Sequence, residues 1–268
     1  MKFAALTSVV LACTALLTAC GGGGGSDTPA ATSGVTAPTT PVITTPVTKI
    51  EGFYTGTVST GTQFQLIALE NDQIYALIGS PDAQGVFRVS SLLEGSGTSS
   101  NGSFSAANAR EYGSNGQVTG LAVSGSFNPR ATVMGTATSA TSMTTFSGTA
   151  LALTSYNYDT PATLASVTGT WTGATLFGES VTYSVSSTGA VSGASAQGCR
   201  FTGTAAPRAS GKNVFDATVT FGAAPCAAPG VTGTGIGVAA PLANGRSQLL
   251  LALTNAGRTN AVVVFSQK

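Results

Sequence analysis

The sequence predicts an all-β protein: two small antiparallel up-and-down β-barrels of about eight strands each, placed after a signal peptide and a flexible linker. Three observations lead there. Short β-prone runs recur at similar spacing from Ile50 onward, separated by Gly, Asn, Asp and Ser. The pattern then starts again: Gly52-Phe53-Tyr54-Thr55-Gly56 is matched by Gly169-Thr170-Trp171-Thr172-Gly173, and Val133-Met134-Gly135-Thr136 by Val231-Thr232-Gly233-Thr234. Glycine contributes 35 of 268 residues, which suits tight turns, bulges and barrel bends. Closing each unit into a barrel removes its sheet edges. The alternative is a single large β-sandwich over the same residues.

Residues 1–19 have the layout of a secretory signal, with Lys2 as the positive head and an apolar run over 3–17. That run is too short for an ordinary membrane-spanning helix. It ends in Leu17-Thr18-Ala19-Cys20, which resembles the lipobox of bacterial lipoproteins. The resemblance implies that the Cys20 thiol receives a diacylglycerol, that the signal is cut before it, and that the new amino group is acylated. Several acyl chains on one residue hold a protein on a membrane stably. Gly21, not Asp, follows the cysteine, and by resemblance to Gram-negative sorting this implies the outer membrane, with the leaflet left open. The alternative is a plain signal peptide cut after Ala19.

Residues 20–49 are then the lipidated cysteine and a linker. Five glycines, 21–25, precede a Thr/Pro/Ala-rich stretch with Pro29, Pro38, Pro41 and Pro46. Such a segment packs no core; it reaches roughly 80 Å as polyproline II or about 30 Å as a coil.

Unit one, residues 50–155, carries β-prone runs at 53–58, 64–69, 74–78, 86–93, 102–106, 118–127, 131–138 and 143–153, with a hairpin turn at Asn71-Asp72. Unit two, residues 156–268, opens with a helical turn at 161–167. A strand starting at Gly169 follows, then runs at 181–185, 200–204, 214–221, 231–238, 249–253 and 261–265. Leu249-Leu250-Leu251 and Val262-Val263-Val264 break the alternation. Apolar residues on both faces of a strand imply cover on both faces, so this hairpin is expected to pack its outer side on the other unit.

Four cysteines are present. Cys13 leaves with the signal and Cys20 is the lipid site, so Cys199 and Cys226 remain as an even pair in an exported protein, which reads as a disulfide. A loop of about 28 residues would contribute on the order of 3.5 kcal/mol. Two free thiols are the alternative; without histidine the pair makes a poor metal set.

Gly169-Thr170-Trp171 resembles the Gly-x-Trp that opens the first strand of the calycins, the lipocalin-like barrels, and Gly52-Phe53-Tyr54 is a degenerate copy. The resemblance implies that Trp171 plugs the closed end of a barrel after the 161–167 turn, with Arg258 as the candidate cation packed on it. The second lipocalin motif is absent. The body is similar in the same way to small barrels of surface-receptor lipoproteins of the transferrin-binding type.

Composition narrows the function. The chain has no histidine, which excludes Ser-His-Asp and Cys-His catalysis and imidazole metal sites. Lys+Arg is 11 and Asp+Glu 10, only 8% of the chain, which argues against a nucleic-acid surface. There is no nucleophile elbow or phosphate-binding loop. A Ser-Lys dyad would have to use Lys49, Lys212 or Lys268, and most acids sit beside turns, the usual place for solvated carboxylates. Arg88 and Arg200 lie within strand runs and face either the lumen or, more commonly, the outside. The expectation is a non-enzymatic protein without metal or cofactor, anchored to the outer membrane through its lipid. It binds a small ligand or an envelope protein; the alternative is a structural or interaction lipoprotein, or an inhibitor of a foreign enzyme. An open apolar lumen would mark the ligand binder, and filled barrels with an exposed apolar patch the interaction protein. Two loops are candidates for a binding rim, 79–85 and 222–230. The second, with Pro225 and Pro229, is preferred because a cross-linked loop is pre-ordered.

Overall fold

In the computed structural model, which describes residues 48–81, 83, 87–242 and 245–268, the strand runs pair antiparallel and each half closes on itself. Residues 1–19, Cys20 and the linker up to residue 47 lie outside the described residues, as do 82, 84 and 85 of the 79–85 loop and the residues 86, 243 and 244. The described residues belong to one compact unit.

The first barrel consists of β1 (Gly52–Val58), β2 (Gln63–Ala68), β3 (Gln73–Pro81), β4 (Phe87–Ser96), β5 (Thr98–Ser100), β6 (Ser103–Gly113), β7 (Val118–Asn128), β8 (Thr132–Thr138) and β9 (Met143–Ala150). β1 pairs with both β2 and β9, and β4 with β6, so the ring is complete. The short β5 continues β4 beyond Gly97 and also pairs with β6, so the two together make one bent stave. A Cβ on Gly97 would collide with the Ser105 carbonyl, which is why the bend falls on glycine.

The chain then crosses to α1 (Leu164–Val167) and the second barrel: β10 (Gly169–Thr175), β11 (Ser180–Val185), β12 (Ala190–Ser195), β13 (Arg200–Pro207), β14 (Phe215–Phe221), β15 (Thr232–Pro241), β16 (Ser247–Asn255) and β17 (Ala261–Gln267). These pair in sequence order, and β10 closes on β17. Helix α1 covers only the end of the expected 161–167 turn. Strand β12 was not expected at all. Among the described residues no helix is long and apolar enough to cross a membrane.

The two barrels begin as copies of each other, bond for bond. Gly52 pairs with Ala68 as Gly169 does with Val185. The first turn of each is closed by matching bonds, Val58 N to Thr62 O and Thr175 N to Glu179 O, both 2.8 Å. Gly61 and Gly178 take the left-handed position there, at φ 89° and 82°. In the next turn Asp72 (φ 64°) stands where the second copy has Gly189 (φ 84°).

Three cores result. The lumen of barrel one is packed by Tyr54, Phe64, Phe104, Phe127 and their aliphatic neighbours. The Phe64 and Phe146 rings meet edge to face at 5.8 Å, and Phe104 lies 6.3 Å from Phe146 and 6.5 Å from Phe127. Side chains at Gly56 and Gly148 would strike the Phe64 ring, so these glycines make room for it. A second core fills the closed part of barrel two around Trp171, Tyr183, Phe215 and Leu249.

The third core lies between the barrels. Ile67, Tyr75, Leu77 and Leu92 from the outside of β2, β3 and β4 meet Ile236, Val238, Ala252 and Val263 from the outside of β15, β16 and β17. The two apolar triplets divide between faces: Leu249, Leu251 and Val264 belong to the lumen of barrel two, Leu250 and Val263 to this interface. Polar contacts ring it. Arg208 reaches Glu70 at 2.8 Å and Asp216 at 2.5 Å, and Tyr158 donates to Glu70 at 2.9 Å.

The expectation that turn acids are solvated fails twice. Glu94 is only 6% exposed because Arg258 and the barrel interface cover it, and Asp72 only 8%, held by Lys49 and the Ser99 hydroxyl. Arg88 and Arg200 are both exposed, on the outer face.

Candidate functional site

Barrel two has one plugged end. Gly169, at φ 118°, lets the chain turn sharply into β10 and drop the Trp171 ring across the lumen, where it is fully buried. Its Nε1 donates to Val167 O at 2.6 Å. The cation over this ring is not Arg258. Lys268 fills that role, with Nζ 4.5 Å from the ring centroid and bonded to Thr168 O at 2.6 Å. Arg258 sits in the β16–β17 turn and points to barrel one, where its Nη2 lies 2.8 Å from Glu94 Oε2.

Further up the same lumen the side chains stop filling the space. A cavity of about 340 Å³ opens there, at the small end of the usual range for ligand pockets. Its wall is Val181, Phe201, Val219, Phe221, Leu251 and Leu253, with Tyr183 toward the plug. The cause is in the small residues. Val219 is flanked in register by Gly203 and Gly233, so at that level the strands on either side of it present no side chain to the lumen. The one buried polar pair nearby is satisfied: Tyr183 Oη and Ser266 Oγ are 2.5 Å apart, and Ser266 donates on to Leu249 O at 3.0 Å. Burial pushes the Tyr183 phenol well above its ordinary range, against a smaller lowering by Ser266, so it is a neutral group.

The mouth is built by the hairpin turns at the far end. Cys199 and Cys226 are joined in a disulfide that ties the 222–230 loop to the start of β13. Gly222 N donates to Arg200 O at 2.8 Å, and Cys226 N to Ala223 O at 3.1 Å, so the loop is bonded at several points. Cys199 and Pro225 line the cavity with Ala227 and Ala228; Pro229 is exposed further along the loop and is not part of the lining. On the opposite side the β10–β11 turn contributes Leu176, Phe177 and Glu179. Leu176 is anchored in the interface core, which leaves Phe177 at the rim, 61% exposed. Sequence reasoning passed over Phe177 and Glu179; a ring and an acid flanking a turn glycine, where the first copy has Thr60 and Thr62, was the available signal.

The three lysines considered for a dyad are committed elsewhere. Lys49 binds Asp72, Lys268 binds Thr168 O, and Lys212 lies 2.8 Å from Asp159 and 3.2 Å from Glu51 Oε2, the latter an ion contact without hydrogen-bond alignment. Among the described residues there is no group of three side chains suited to hold a metal.

No protein-family model matches this chain, and no curated protein does. Among solved structures it is similar to isotype 1 transferrin binding protein B from serogroup B Neisseria meningitidis, at 12% identity and a TM-score of 0.27, covering 77% of this chain and 58% of that one. This chain therefore spans less than two thirds of that protein's length. The fold rests on the closed strand pairings of the chain itself.

Proposed function

We propose that the protein is a non-enzymatic binding module of the cell envelope that holds a small, mainly apolar ligand in the lumen of barrel two. The cavity of about 340 Å³ above the Trp171 plug, walled by valine, leucine and phenylalanine, supports this reading. Apolar contact area supplies the affinity, and the bonded, cross-linked mouth lowers the ordering cost of binding. Barrel one, its lumen packed with phenylalanine rings, is the platform that the second barrel rests on. In this reading residues 1–19 are removed, Cys20 carries the lipid, and residues 20–49 tether the barrels to the outer membrane; the lipobox-like Leu17-Thr18-Ala19-Cys20 supports that part.

The test is a titration of the purified chain with N-phenyl-1-naphthylamine, a neutral apolar dye that brightens in a dry site. Saturable binding of one dye per chain is expected. Val219→Trp, which fills the lumen between Gly203 and Gly233, should abolish it while leaving the circular dichroism unchanged. Dye binding that is absent, or indifferent to Val219→Trp, overturns the reading.

A further inference from the structure

We infer that the ligand of this lumen is an organic amine, its ammonium group held at the mouth by the Glu179 carboxylate beside the Phe177 ring; this rests on the lumen reading above. Glu179 lines the cavity, and its Oε1 is buried without a hydrogen-bond partner among the described residues. A buried carboxylate oxygen without a protein donor is unfavourable, and native structures rarely leave one so. A donor entering with the ligand relieves it.

Of the other polar residues that line the cavity, Gln197 is a neutral amide that carries no charge to set against an ammonium, and several are engaged elsewhere. Tyr183 is paired with Ser266. Asn255 is spent on its own turn, accepting from Thr259 N and Asn260 N at 2.9 Å each and donating to Thr259 Oγ1 at 2.9 Å. Thr175 Oγ1 accepts from Glu179 N at 3.2 Å, and Ser195 Oγ from Cys199 N at 3.3 Å. Among the described residues no lysine or arginine lines the cavity, so no cation there answers the negative charge.

The duplication supplies an internal control. The β1–β2 turn of barrel one has the same bonds and the same left-handed glycine, yet carries Thr60 and Thr62 where the second copy has Phe177 and Glu179. The turn therefore folds without a ring or an acid. Both occur in the copy whose lumen is open, and an exposed aromatic ring next to a carboxylate is the pairing that favours an ammonium over a neutral group.

The experiment displaces N-phenyl-1-naphthylamine from the full chain with decylammonium and, separately, decanoate, which share the apolar body and differ in head charge. Decylammonium is expected to displace at a concentration lower by about tenfold or more, since the Glu179 carboxylate attracts the ammonium head and repels the carboxylate one. Glu179→Gln should close most of that gap without weakening the dye, and Phe177→Ala should weaken decylammonium more than the dye. Equal displacement by the two heads in the wild type, or a gap that survives Glu179→Gln, overturns the inference. In those cases the lumen reading stands. Loss of dye binding in the wild type, or dye binding that survives Val219→Trp, removes both.

Discussion

Arg258 of the second barrel clasps Glu94 of the first. Its Nε and Nη2 both lie 2.8 Å from Glu94 Oε2, and Nη2 also reaches the Glu94 carbonyl at 3.2 Å. The Arg258 carbonyl in turn accepts from Arg110 at 2.8 Å and Tyr112 at 3.2 Å, so one turn residue stitches three groups of barrel one. Removing the guanidinium strands a buried carboxylate. Arg258→Ala should lower the unfolding free energy by about 2–3 kcal/mol, and adding Glu94→Leu should return most of it. Urea unfolding of both variants checks this; a change within about 0.5 kcal/mol for Arg258→Ala, the range of an ordinary surface substitution, would refute the clasp.

Acid should loosen the same interface through Glu70. Burial raises this carboxyl, but bonds from Arg208, the backbone, Ser210 and Tyr158 outweigh it and hold the group down at about 2. The stabilisation is therefore complete above the ordinary carboxylate range and is lost as pH falls from about 4.5 toward about 2. Glu70→Gln should be less stable than the wild type at pH 6, with the difference shrinking by pH 3. A urea midpoint difference that is constant over that interval would contradict the assignment.

The bond between Cys199 and Cys226 closes a loop across β13 and β14. Replacing both cysteines with serine should cost about 3.5 kcal/mol by the loop-entropy relation. Calorimetry with and without reductant reads the same effect in the wild type, and an unshifted melting temperature on full reduction would count against it.

Tyr54 and Trp171 test the duplication. Tyr54 Oη donates to Ile50 O at 2.8 Å, as Trp171 Nε1 does to Val167 O at 2.6 Å, and both rings are fully buried. Tyr54→Phe and Trp171→Phe should each cost about 1–3 kcal/mol, since each leaves a buried carbonyl unpaired, and the costs should add in the double variant. Strongly unequal costs would mean that the two plugs are not equivalent.

The anchor is tested by Cys20→Ala. The variant should be exported yet appear in the soluble fraction, without the mass of a lipid. Retention in the membrane fraction at the wild-type level would dismiss Cys20 as the attachment point.

Much of the fold was legible because large apolar residues alternate along most staves and the Gly-x-aromatic-x-Gly pentad repeats. Strand β12 escaped because Val191 is its one large apolar residue. Gly193 faces the lumen bare, and a Cβ there would meet the Tyr183 side chain and the Phe201 ring. The stave is there to be small, which alternation of hydrophobicity does not report. Arg258 misled for another reason: resemblance located a cation near the last strand but could not distinguish a turn residue aimed at the neighbouring barrel from Lys268 at the strand's end. Of the rim, the cysteine pair was readable from parity. Glu179 was not, because its burial comes from the turn and barrel around it, not from its sequence neighbours.

The order of the chain has a consequence for synthesis. The face of barrel one formed by Ile67, Tyr75, Leu77 and Leu92 is made early, while its cover from β15, β16 and β17 is made last. Until the ribosome has released those strands, the nascent protein carries a finished barrel with a sticky flank, the kind of intermediate that recruits chaperones or its own siblings. Premature termination anywhere before β15 thus yields a worse product than a missing domain: a closed barrel bearing a naked apolar wall.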